Sequence, residues 1–238
     1  MQNFDLSDRR VLITGGAGGV GRETAVRMLA AGARVVSADI AGATRHAKGT
    51  ITFSGDLGRQ SDVERLFRFV DNQVGGLDVL VACAGLPADS LMEIDDTGWR
   101  RVIDANLISY LACTKKAIER IRTSGRVDGQ VILVGSISVH IKAVGESVYN
   151  ASKGGVALFA ETLRKEMIGE KIRVTLIEPG AIATHLQPYG DAKLAEFEEG
   201  LEMLPAAEVA EAIMFAATRG PGVDVVTLRI EPLVQKIS

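Results

Sequence analysis

The sequence predicts an α/β protein built as a doubly wound, seven-stranded parallel sheet with helices on both faces, three layers in a single domain spanning residues 1–238. Three observations predict it. Apolar runs of strand length alternate with segments whose apolar residues recur at helical spacing. The first such run opens directly into a glycine-rich turn, and residues able to do chemistry recur just beyond the carboxyl ends of the runs, the edge where open α/β sheets bind ligands. At 238 residues the chain is long enough for one such domain with a sizeable core.

The first strand, Arg10 to Ile13, leads into Thr14-Gly-Gly-Ala-Gly-Gly-Val-Gly21 and a helix from about Val20 to Ala31. A glycine-rich turn between strand and helix lets the backbone approach a pyrophosphate, whose charge is met by the N–H groups of the helix start. Gly15, Gly18, Gly19, Val20 and Gly21 are therefore candidate dinucleotide contacts. The spacing of Gly15, Gly19 and Gly21 is not the plain G-x-G-x-x-G. The second strand, Arg34 to Ala38, ends in Asp39. A carboxylate there accepts from the adenosine ribose hydroxyls and repels a 2′-phosphate, which favours NAD over NADP; Arg45 keeps NADP as a minority reading, and a surface Asp ending a strand is the plain alternative.

A brief strand, Ile51 to Phe53, precedes Ser54-Gly-Asp56-Leu57, where Asp56 and Leu57 suit the adenine edge. A helix from about Ser61 to Val74 and a strand from Leu77 to Ala82 follow, and the strand exits through Cys83-Ala84-Gly85, open to close approach of a nucleoside. The helix from about Thr97 to Ile121 carries Asn106 among apolar residues. An unpaired buried amide costs about 1–3 kcal/mol, so Asn106 is either a core hydrogen-bonding residue or part of a proton path. Trp99 reads as packing.

Val131 to Val134 reads as a buried strand whose carboxyl end presents Ser136. Tyr149 and Lys153, four apart at the head of a helix running to about Met167, share a helix face. A phenol has a pKa of about 10 and must lose about three units to carry protons near neutrality; a cation at about 4 Å supplies a term of that size at an effective dielectric of about 20. Ile172 to Ile177 is the sixth strand, and Pro179-Gly180 turns the chain towards Ile182 and Thr184. The segment 185–205, acidic and studded with Leu186, Tyr189, Phe197 and Leu201, suits a substrate lid or an ordinary surface helix. A helix from about Ala207 to Ala217 and a strand from Val223 to Ile230 complete the alternation.

A net charge of −3 with no basic block argues against nucleic acid and anionic membrane as partners. Met1 to Asp5 shows no secretory pattern and no run is long enough to span a bilayer, so a cytoplasmic protein is the default. Cys83 and Cys113 read as small core residues, and His46, His140 and His185 form no ligand pattern, so no metal site is expected. Val139, His140, Ala143, Leu186 and Tyr189 are candidate substrate-lining residues, mainly apolar, which favours a lipophilic or cyclic alcohol.

Taken together these residues resemble the short-chain dehydrogenase/reductase family, with its NAD(P)-binding Rossmann fold, over nearly the whole chain. Thr14-Gly15-x-x-x-Gly19-x-Gly21, Asp56, Asn106, Ser136 thirteen residues before Tyr149 with Lys153, and Pro179-Gly180 with Thr184 occur in order. The resemblance implies that Asn106, Ser136, Tyr149 and Lys153 form a catalytic set and that Thr184 and the backbone near Ile182 hold the nicotinamide amide. It also implies reversible hydride transfer between the nicotinamide cofactor and a secondary alcohol or ketone, and a homotetramer or dimer. The family's usual Asn-Asn-Ala-Gly is here Ala82-Cys83-Ala84-Gly85, so side-chain bonds that tie that turn are absent. Two other readings are an idle NAD-binding sensor or scaffold, and a same-fold epimerase or dehydratase.

Overall fold

The computed structural model describes residues 5–126 and 128–235; most of the N-terminal stretch read for a leader, residues 1–4, lies outside them. Seven parallel strands form one sheet in the order β3-β2-β1-β4-β5-β6-β7. They are β1 Arg10–Thr14, β2 Arg34–Asp39, β3 Ile51–Ser54, β4 Val79–Ala82, β5 Gln130–Val134, β6 Arg173–Pro179 and β7 Thr227–Ile230. The central strands are buried on both faces, which is why their sequences are continuous apolar runs rather than alternations. The last strand is shorter than its apolar pattern suggests: the chain turns at Gly222, and 223–226 approach the sheet without joining it as strand, although Val226 O accepts from Leu176 N at 3.0 Å.

Two apolar layers cover the sheet. On one face lie α2 (Gln60–Val74), α4 (Ser109–Arg122) and α6 (Ser147–Met167), the last preceded by the short α5 (Ser138–Ile141); on the other, α1 (Gly19–Ala30) and α8 (Ala206–Ala217) pack together. The pattern that makes α2 a helix is plain: Val63, Leu66, Phe67, Val70 and Val74 fall on one stripe and are all buried. The helix expected from Thr97 to Ile121 is not a single α-helix. It comprises α3 (Asp96–Ile103), a π turn (Asp104–Ile108) and α4. Asp95 caps α3 by accepting from Gly98 N at 2.6 Å, and the π turn carries Asn106 inward to full burial.

Strand order reverses direction between β1 and β4, the switch point at which open sheets hold ligands. The glycine turn after β1, Asp39, Asp56, Ala84-Gly85, Ser136 and Pro179-Gly180 all leave the sheet at that carboxyl edge.

Candidate active site

Two adjoining hollows occupy this edge, of about 380 Å³ and about 360 Å³, sharing the walls of Gly15, Gly18, Gly19, Cys83, Gly85 and Thr184. Asp39, Asp56, Leu57 and Ala84 line the first. Val20, Gly21, Ser136, Tyr149, Lys153, Pro179, Gly180 and Ile182 line the second. Of the residues singled out in the sequence for catalysis or cofactor binding, Asn106 alone lies behind the wall.

The glycine turn fits a dinucleotide for steric and electrostatic reasons. Gly15 holds φ +71°, and a β-carbon there would come within 2.6 Å of Ala84 N; at Gly19 it would come within 2.6 Å of Thr184 Cγ2. Only bare backbone allows β1, β4 and the 182–184 segment to meet so closely around one cleft. The first turn of α1 carries no acidic side chain, leaving its N-terminal dipole to an incoming phosphate. Asp39 is fixed at the mouth, accepting from Ala17 N at 3.1 Å through one oxygen and from Ala41 N at 3.0 Å through the other.

Around Ser136, Tyr149 and Lys153 the geometry departs from the sequence expectation. Burial pushes the Tyr149 hydroxyl above its ordinary value; its hydrogen bond with Ser136 opposes that rise, and the Glu146 charge adds to it. The Lys153 ammonium, 4 % exposed, sits 6.0 Å from the centre of the Tyr149 ring and donates to Val134 O at 3.0 Å and to the Tyr110 hydroxyl at 3.5 Å. Burial pulls its pKa down to about 8. A phenol acidified by its lysine is thus not what the protein atoms alone create: the lysine is engaged below, on a strand carbonyl.

Asn106 is a satisfied core amide. Its Oδ1 accepts from Leu86 N at 2.7 Å, and its Nδ2 donates to Leu86 O at 2.9 Å and to Ser152 Oγ at 3.2 Å. It still borders the set, since a β-carbon at Gly85 would lie 3.6 Å from its Oδ1 and 3.7 Å from Lys153 Nζ. Tyr110, passed over in the sequence, is 1 % exposed. It shares its hydroxyl proton between Ala84 O at 2.8 Å and Val134 O at 3.1 Å. This bond ties the exit of β4 where Ala82-Cys83 offers no amide. Cys83 packs partly buried against the core and also borders both hollows, its thiol pushed up to about 12 by burial.

Of the expected substrate-lining residues, Ala143 and Leu186 face the second hollow, while Val139, His140 and Tyr189 do not. His140 turns instead to Glu178, 3.0 Å away. The hollow also receives Ser138, Glu146, Gln187 and Gln235, making it more polar than the sequence suggested. Glu146 was legible by its position one helical turn before Tyr149; Gln235, whose Oε1 accepts from Ala181 N at 3.0 Å, carried no local signal. Residues 185–205 contain α7 (Asp191–Glu199), anchored where Leu204 pairs with Ile182. Among the described residues no cluster of His, Cys, Asp or Glu is placed to hold a metal, and no helix is long and apolar enough to cross a membrane.

Comparison with known proteins agrees with this architecture. The chain is 30 % identical over 187 residues to farnesol dehydrogenase of Aedes aegypti, covering 76 % of this chain and 74 % of that one. It is 29 % identical to dehydrogenase/reductase SDR family member 11 of Bos taurus, covering 96 % and 97 % respectively. The solved structure of aldohexose dehydrogenase from Thermoplasma acidophilum in ligand-free form superposes with a TM-score of 0.86 at 23 % identity over 97 % of this chain and 95 % of that one. The short chain dehydrogenase family profile matches residues 9–194, and with the fold and the cleft it places this chain in the short-chain dehydrogenase/reductase family of oxidoreductases that use a nicotinamide cofactor.

Proposed function

We propose that the chain transfers hydride reversibly between NAD and a secondary alcohol or ketone, with Ser136, Tyr149, Lys153 and Asn106 as its working set. The observation that carries this reading is that Ser136, Tyr149 and Lys153 together line the wall of a hollow continuous with the glycine turn. When bound, the nicotinamide supplies the hydride acceptor or donor. In oxidation, Tyr149 takes the substrate's hydroxyl proton while Ser136 donates to the same oxygen as it becomes a carbonyl; in reduction, Tyr149 returns the proton. Lys153 contributes positive charge near the phenol and donors for the ribose. Asn106 braces the Leu86 segment, and a solvent link to Lys153 would run through its backbone, because its amide is already bonded.

Asp39 supports NAD over NADP: its fixed carboxylate stands where a 2′-phosphate would have to enter, though Arg45 borders the same hollow. The cleft suits a small molecule, and the reading places the chain in the cytoplasm with segment 185–205 as a lid. Ile108, Leu111 and Leu158, exposed on neighbouring helical segments, support a homotetramer or dimer. The test is Tyr149→Phe: turnover falls by about 10²–10⁴-fold, while titration of the same variant shows tighter binding of NADH than of NADPH. Wild-type turnover rejects the proton-transfer role, and equal affinities reject the NAD assignment. Tight NADH binding with no turnover of any alcohol or ketone by the wild type would favour the sensor.

A further inference from the structure

We propose that the substrate is a neutral or cationic alcohol or ketone carrying a second hydrogen-bond donor, hydroxyl or ammonium, near the reacting carbon, and that Glu146 selects it. This rests on the reading of Tyr149 as proton carrier and adds the class of substrate.

Glu146 stands three residues before Tyr149, so both side chains leave one face of the chain at the head of α6. It occupies the N-cap position, where a carboxylate ordinarily accepts from the free N–H groups of the first turn, yet its side chain makes no such bond. Nor does it form an ion pair or a side-chain hydrogen bond with any other described residue. Burial pushes its carboxyl pKa upward, the mark of an anion partly removed from water with nothing given in return. For the fold alone this is an unfavourable arrangement; a donor on a bound molecule would satisfy it.

Two further observations point the same way. The Ser138 hydroxyl, on the same wall, is buried and has no hydrogen-bond partner among the described residues. Among the described residues, the only ionisable side chains of lysine, arginine, aspartate or glutamate bordering this hollow are Glu146 and Lys153, and Lys153 is already turned to Val134 O and Tyr110. A carboxylate or phosphate on the substrate would therefore find no free cation among the described residues and would share the hollow with Glu146. A hydroxyl or ammonium meets an acceptor instead, and a site with an unsatisfied polar group discriminates strongly against an analogue that lacks the matching partner.

The test compares kcat/KM for four short secondary alcohols near neutral pH with NAD: 1-amino-2-propanol, 1,2-propanediol, 2-butanol and 3-hydroxybutyrate. The wild type is expected to favour the amine and the diol over 2-butanol by about tenfold or more, with 3-hydroxybutyrate poorest. Glu146→Gln lowers the amine-to-2-butanol ratio by about tenfold, and Glu146→Lys raises the 3-hydroxybutyrate-to-2-butanol ratio. Thermal unfolding checks that both variants fold. Turnover with ratios unchanged in both variants, or a wild type that prefers 2-butanol, overturns this inference and leaves the hydride-transfer reading standing. No turnover of any of the four by the wild type overturns this inference, whereas the hydride-transfer reading falls only if a broad panel of alcohols and ketones is inert as well.

Discussion

Lys153 is the residue whose position costs the fold most directly. Its pKa drops from 10.5 in its ordinary state to about 8 through burial, so between those two values the unfolded chain holds a proton that the folded chain has released. Stability from this group therefore rises with pH across that window, and the penalty is present in full below about pH 8. Replacing the lysine with a chain of similar length and no charge removes the penalty. Lys153→Met is expected to raise the unfolding free energy at neutral pH by about 1–3 kcal/mol while abolishing turnover. Denaturant titration at neutral pH and again above pH 10 checks this, and the gain should shrink at the higher value. Tyr149 shows the opposite sign of the same physics. Its hydroxyl is raised by burial, so if Tyr149 carries the proton as proposed, the phenolate forms more readily as pH rises and alcohol oxidation should climb on the alkaline side. Glu146→Gln removes an anion that disfavours the phenolate and should move the rise towards lower pH.

At the level of elements, Tyr110 of α4 does by hydroxyl what no side chain of Ala82 or Cys83 can do by amide. It fastens the exit of β4 to the end of β5 through Ala84 O and Val134 O, directly under Lys153. Tyr110→Phe leaves Ala84 O short of a partner in a buried place and should cost about 1–3 kcal/mol, read by denaturant unfolding, with turnover falling because the floor beneath Lys153 loosens. The strands and their functional exits were legible because parallel strands buried on both faces must be apolar throughout, and their carboxyl ends are then simply the next residues. The break in the long helix was not legible: the four-residue steps from Val102 through Asn106 to Tyr110, all buried, continue one helix face across the π turn. The fate of the lysine was hidden for a related reason. A four-residue spacing sets which side of a helix two groups share, but the acceptor that finally holds the ammonium belongs to β5. The polar lining of the second hollow was equally concealed, since Gln187 and Gln235 arrive from chain segments far from Ser136 and Tyr149.

Over the whole molecule, the apolar residues left uncovered are not scattered evenly. Leu158 is 71 % exposed on α6, and Ile108 in the π turn and Leu111 on α4 are also exposed; the packing of Leu107 against Gly155 brings α6 and the π turn together. A second copy of the chain meeting this face would bury all three. Leu158→Arg is accordingly expected to shift sedimentation from the assembled species towards the monomer while leaving the far-ultraviolet dichroism intact; an unchanged sedimentation coefficient would count against the interface. At the amino edge of the sheet lies a different kind of chemistry. Asp78, fully buried, receives Arg10 through Nε at 2.9 Å and NH2 at 2.7 Å and also accepts from Arg10 N at 2.9 Å. Gln130 reaches Thr175 and Ala216 O, each at 3.2 Å. Arg9 pairs with Asp128. These fasteners sit a full strand length from the cleft. Loops at the working end can thus be exchanged, lengthened or re-sequenced without loosening the bolts that hold the frame, so one scaffold can be refitted to new alcohols by altering its rim alone.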